Sequence, residues 1–161
     1  MRMMATSEAQ IAAFQADGYL HLPRYLDESA LDAIKQTLNR VVDRINTFRS
    51  EEVYYEDKTD PTSLKQIQHL ENKDDFFQQL ISTGKVCELA QELLQEEPIP
   101  KNIQYFNKPP KTGSATPAHQ DGYYFMLKPC RALTMWLALE EVGESNGCIS
   151  YVRASHQQGL R

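Results

Sequence analysis

The chain predicts an α+β fold in which helices pack on a following run of antiparallel strands. Two observations carry this reading. Through the first hundred residues, apolar side chains recur at steps of three and four between helix caps. From about residue 101 onward, short alternating stretches are separated by Pro, Gly, Asn and Ser. With 161 residues the chain suffices for one ordinary domain and is short for two. We read residues 1–161 as a single domain, with 1–100 a mainly helical support and 101–161 the first strands of a sheet.

Taken in order, Ser7-x-x-Gln10 forms a capping box ahead of Ile11 and Phe14, and Gly18 stops that helix. Tyr19 to Leu22 reads as a short strand closed by Pro23. The clearest helix follows: Asp27 caps it, and Leu31, Ile34, Leu38, Val41, Ile45 and Phe48 form one apolar stripe. That stripe is core. Residues 50–62, acidic and containing Asp60-Pro61, read as a surface loop. Two more helices run through Phe76, Phe77, Leu80 and Ile81, and through Val86, Leu89, Ala90, Leu93 and Leu94, with Pro98 and Pro100 ending the helical part. Ile103 to Phe106 is a short strand, and 108–117 is a loop. A strand carrying His119 follows, and then Leu133, Met135, Leu137 and Leu139 alternate with Thr134, Trp136 and Ala138. Glu144 to Gly147 turns the chain into a last strand over 148–152. About four strands are too few for a closed barrel or a two-sheet jelly roll, which needs about eight.

Composition excludes several classes of function. A net charge of −5 gives no basic footprint for nucleic acid and none for an anionic membrane surface. No apolar run approaches a membrane span. The start, Met1 to Glu8, has no apolar secretory core behind it. Three cysteines, Cys87, Cys130 and Cys148, lack C-x-x-C spacing, so a reducing, cytoplasmic setting is expected.

The chemistry concentrates at His119-Gln120-Asp121. Side chains two apart on an extended backbone project from one face, so an imidazole and a carboxylate here can grip one metal ion. With a further histidine this becomes the facial triad of a non-haem Fe(II) site, which leaves positions open for a co-substrate and dioxygen. The alternative is a hydrogen-bonded structural pair. Gln120 points to the other face. Tyr123 shares the metal face and either touches substrate or packs as an ordinary aromatic. His21 and His69 read as ordinary polar positions and Cys148 as a small core residue.

In order along the chain, Gln10-Ile11-x-x-Phe14-x-x-Asp17-Gly18-Tyr19-Leu20, Asn107-Lys108-Pro109-Pro110, His119-Gln120-Asp121-x-Tyr123-Tyr124, Ala132 to Leu139, Asn146-Gly147-Cys148 and Ser155-His156-x-x-Gly159 resemble the phytanoyl-CoA dioxygenase family of Fe(II)/2-oxoglutarate-dependent oxygenases. The resemblance implies a double-stranded β-helix, a jelly-roll relative of the cupins, of which this chain would hold an incomplete part. It implies Fe(II) held by His119 and Asp121, 2-oxoglutarate as co-substrate, dioxygen, and a small organic substrate that is hydroxylated. Retention of Asp121 argues against halogenation, because a halide needs the carboxylate's position. Lys65 would reach a carboxylate of 2-oxoglutarate, Trp136 would line the co-substrate pocket, and Gln104 falls where some members place a methionine. The family's distal histidine ligand and its carboxylate-clamping arginine fall after Ser-His-x-x-Gly; neither His156 nor Arg161 is in their place. The 161 residues alone are therefore expected to turn over little. Two other readings stay open: a non-catalytic metal-binding or interaction remnant, and a half-domain completed by another chain.

Overall fold

The computed structural model describes residues 6–159. The first five residues and Leu160-Arg161 lie outside the described residues, and with them the expectations placed on the extreme N-terminus and on Arg161.

Helix α1 (Glu8–Asp17) begins and ends where its caps require. The Ser7 hydroxyl accepts from the Gln10 N–H at 3.2 Å while the Gln10 side chain accepts from the Ser7 N–H at 2.9 Å. Gly18, at φ +82°, closes it by donating to the Phe14 carbonyl. Helix α2 (Glu28–Val42) is capped by Asp27 and buries Ile34, Leu38 and Val41, the predicted stripe. It ends six residues short of Phe48. The Thr47 hydroxyl and N–H both donate to the Arg44 carbonyl, taking the acceptor that a continuing α-helix would offer to Phe48. A 3₁₀ turn (Ile45–Thr47) results, and Ile45 and Phe48 still pack on the core. Helices α3 (Asp75–Ser82) and α4 (Gly84–Leu94) form where predicted.

The sheet is small and antiparallel, in the order β1 (Val53–Tyr55), β2 (Leu64–Ile67), β3 (Tyr105–Phe106). The acidic stretch 50–62 is therefore not all loop: Val53-Tyr54-Tyr55 enters the ladder against Leu64–Ile67. The connection is tied by buried Ser63, whose hydroxyl donates to the Asp57 and Asp60 carbonyls, each at 2.8 Å. Ile67 is fully buried and joins Leu70, Phe77 and the α2 stripe in one core cluster.

The remaining strand expectations fail. Tyr19 to Leu22 pairs with no strand, and residues 107–159 contain one short helix, α5 (Asp121–Phe125), and two 3₁₀ turns, Glu144–Asn146 and Ser155–Gln158, with no strand among the described residues. Alternation over Leu133 to Leu139 suits a pleat, but a strand exists only when a neighbour accepts and donates its backbone hydrogen bonds. None of the described residues does so here. Trp136 is 45% exposed and Val152 69%. The chain's accessible surface is 12205 Å², against about 8200 Å² expected of a compact protein of this mass. No helix is long and apolar enough to cross a membrane.

Candidate metal centre

His119 and Asp121 meet, by a different route from the one predicted. Gln120 between them is extended (φ −117°, ψ 125°), which sends its neighbours' side chains to the same side, and Asp121 then opens α5. His119 Nε2 lies 3.3 Å from Asp121 Oδ1, with both side chains about two-fifths exposed. The other ring nitrogen, Nδ1, sits 2.8 Å from the Pro117 carbonyl. A carbonyl only accepts, so Nδ1 carries a hydrogen, and Nε2 is the nitrogen that faces the carboxylate. Histidine ligands to metals are commonly held this way, by a carbonyl on the remote nitrogen.

The second carboxylate oxygen is also held. Thr134 Oγ1 donates to Asp121 Oδ2 at 2.6 Å, which leaves Oδ1 as the one facing His119. Tyr124 meets the His119 ring edge-on at 5.7 Å. Burial, and then the charge of Asp121, push the Tyr151 hydroxyl above its ordinary range, so it stays a proton donor. Tyr151 stacks on Tyr19 at 5.3 Å.

These donors fit two adjacent positions of a divalent ion. With bonds of about 2.1 Å, a 3.3 Å bite subtends about 100° at the metal, near the right angle between neighbouring octahedral sites. At that distance either a proton on Nε2 or a cation between the two atoms can join them. A third donor is not gathered there: among the described residues no group of three or more His, Cys, Asp or Glu could hold one ion.

Lys65 and Gln104 engage other partners. Lys65, on β2, forms an ion pair with Glu56 at 3.1 Å. Glu56 also accepts from Ser114, through the N–H to Oε1 and the hydroxyl to Oε2, each at 3.0 Å. The Ser114 N–H and then Lys65 hold the Glu56 carboxyl below its ordinary value. Gln104 accepts from Gln66 at 2.6 Å. Lys65 is the residue that the β1–β2 register skips, a bulge beside Gln66. His69 pairs with Glu71. Gln120 donates to the Ser155 and Gly159 carbonyls, and His156 bonds the Gln15 carbonyl at the end of α1, so the Ser-His-x-x-Gly segment bridges that helix and the residue between the metal pair. Thr134, Pro117, Glu56 and Ser114 were not singled out from sequence; a single hydroxyl, carbonyl or carboxylate carries no spacing signal of its own.

A family model described as Phytanoyl-CoA dioxygenase (PhyH) matches residues 14–161, nearly the whole chain. The chain belongs to the phytanoyl-CoA dioxygenase family. Among curated members it is 24% identical over 198 residues to "Phytanoyl-CoA dioxygenase domain-containing protein 1" of Bos taurus, covering 98% of this chain and 68% of that protein. It is 26% identical over 187 residues to "Phytanoyl-CoA dioxygenase 1" of Oryza sativa subsp. japonica, covering 96% and 66%. The Arabidopsis thaliana "Phytanoyl-CoA dioxygenase" matches at 23% over 184 residues, covering 94% and 65%. The chain spans about two thirds of the length of these family members. Each aligned stretch is longer than the chain's 161 residues, so the relatives carry residues within the matched region that this member lacks. No solved structure matches.

Proposed function

We propose that this chain carries the first two metal ligands of an Fe(II)/2-oxoglutarate-dependent oxygenase acting on a small organic molecule. The observation that carries the reading is the His119–Asp121 bite, with Nδ1 committed to Pro117 and Oδ2 to Thr134, so that Nε2 and Oδ1 converge on one point. Family membership supports the oxygenase chemistry; fold kinship alone names no substrate. His119 and Asp121 would hold Fe(II). When bound, that iron would supply the redox step, in which dioxygen and 2-oxoglutarate yield succinate, carbon dioxide and a hydroxylated product.

The chain's own residues orient and exclude. Pro117 and Thr134 fix the direction of the two ligands. Tyr124, edge-on to the imidazole, walls one side, and Trp136 would line the co-substrate pocket. Lys65 would hold a carboxylate of 2-oxoglutarate. Gln104, bonded to Gln66, would border the co-substrate. A third protein ligand and a cation for the far carboxylate would come from residues outside these 161, as would the strands that complete a jelly roll over Trp136, Ile149 and Val152. A cytoplasmic setting is part of the same proposal.

The test is iron-dependent formation of succinate from 2-oxoglutarate by the product of the native gene, whose intact mass also shows whether it exceeds the 18.5 kDa of this chain. We expect turnover from a longer product, lost in His119→Ala, and little from the 161 residues alone. Robust turnover by the short chain would contradict the incomplete-site reading. A native mass of 18.5 kDa without turnover would favour a half-domain completed by a partner, or a binding role.

A further inference from the structure

We propose that the Ser155–Gln158 turn couples helix α1 to the metal pair, and that Gln120 is the positioning residue through which it acts. The orientation of His119 and Asp121 is then set from the end of a helix far earlier in the chain. This rests on the proposed metal centre for its functional meaning.

An α-helix leaves its last four carbonyls without a partner further along the helix. In α1 these belong to Phe14, Gln15, Ala16 and Asp17. The Gly18 N–H takes the first, and residues 154–157 take the other three. His156 Nε2 donates to the Gln15 carbonyl at 3.0 Å, the Gln157 amide to Ala16 at 3.2 Å, and the Ala154 N–H to Asp17 at 2.8 Å. Arg153 donates to the Asp17 carboxylate, and Tyr151, near enough to Asp121 to feel its charge, stacks on Tyr19. The fit is close: a Cβ on Gly18 would lie 2.3 Å from His156 Nδ1. Ala154 stands at φ +57°, a conformation that a residue with a side chain keeps only where its surroundings hold it. The turn is therefore seated on the open end of α1 at several points at once.

The same turn holds Gln120. The Gln120 amide donates to the Ser155 carbonyl at 3.3 Å and to the Gly159 carbonyl at 3.1 Å. Gln120 is extended, so its side chain leaves the backbone on the face opposite to its two neighbours. Held by that side chain, the middle residue is fixed from behind, and His119 and Asp121 project together in front. Pro117 and Thr134 hold the ligands by their own atoms; Gln120 holds the backbone between them. Without that hold, small rotations of the backbone at residues 119–121 would swing the imidazole away from the carboxylate.

The test uses the full chain, first without metal. In ¹⁵N-labelled protein the Gln120 side-chain amide and the His119 ring nitrogens are followed by NMR. His156→Ala, which removes the donor to Gln15, should shift both sets of signals. His156→Gln, whose amide nitrogen can take the place of Nε2, should leave them near their wild-type positions. Titration with Mn(II) follows. Gln120→Ala should bind about tenfold more weakly than wild type, as is common when a residue supporting metal ligands is removed. His156→Ala should bind about fivefold more weakly, the worth of one hydrogen bond. The double variant should bind no more weakly than Gln120→Ala alone, because both residues act along one path. His119 signals that stay in place in His156→Ala, or losses that add in the double variant, overturn the proposal. Should Gln120→Ala not fold, the His156 comparison decides by itself. A wild type that binds no Mn(II) while the metal-free signals respond would uphold the coupling and sink the metal-centre reading.

Discussion

Replacing Thr134 with valine tests the metal pair without touching either ligand. The substitution keeps the branched shape and deletes one hydroxyl, the one that donates to Asp121 Oδ2 at 2.6 Å. A hydrogen bond to a charged acceptor contributes about 1.5–3 kcal/mol. Asp121 is 40% exposed, so water replaces part of what is lost and the lower end applies. A loss of about 1.5 kcal/mol is roughly tenfold in affinity, within the range seen when the residues that support metal ligands are removed. Thr134 is exposed and outside the core cluster, so the unfolding midpoint should move little. The assay is titration of metal-free protein with Mn(II), followed by the loss of free-ion paramagnetic resonance. Thr134→Val should bind about tenfold more weakly, and Thr134→Ser, which keeps the hydroxyl, should bind close to wild type. If Thr134→Val binds as tightly as wild type while Asp121→Ala does not bind, the carboxylate is oriented by something other than Thr134.

Two further predictions concern the scaffold. Phe77 is 2% exposed at the centre of the core cluster, so Phe77→Ala should cost about 3–5 kcal/mol of stability, read as a lower denaturant midpoint; a smaller loss would mean that the cluster is not the core. The hydrogen bond from Lys73 holds the Glu52 carboxyl below its ordinary value of 4.5. A depressed carboxyl stabilises the fold fully above its unfolded pKa and loses that contribution as pH falls through the folded one. Glu52→Gln should therefore be less stable than wild type near about pH 7, and the gap should close below pH 4.5. A gap that widens on acidification would refute the assignment.

The helices were legible because their signals are local. Ser7, Gln10, Gly18 and Asp27 all cap as their types require, and the α2 stripe is buried where the period places it. Ile45 and Phe48 kept their place in the core although Thr47 ended the helix, a competition between side chain and backbone that periodicity does not register. Strands depend on partners, and the sequence errs there in both directions. Val53-Tyr54-Tyr55 has the right residue types but is too short and too closely flanked by acids to stand out as a strand. Leu133 to Leu139 has the pattern and finds no neighbour among the described residues. His119 and Asp121 were brought together by their spacing all the same, because one extended residue between them suffices; no ladder is needed. What surrounds them, the Pro117 carbonyl and the Thr134 hydroxyl, follows only from the fold.

The central claim is that Nε2 of His119 and Oδ1 of Asp121 bind one divalent ion. Titrating metal-free wild type, His119→Ala and Asp121→Ala with Mn(II) tests it directly. The account predicts one weak site per wild-type chain and none in either variant. Equal binding by all three proteins would mean that the ion sits elsewhere, and would contradict the metal centre on which the functional reading stands.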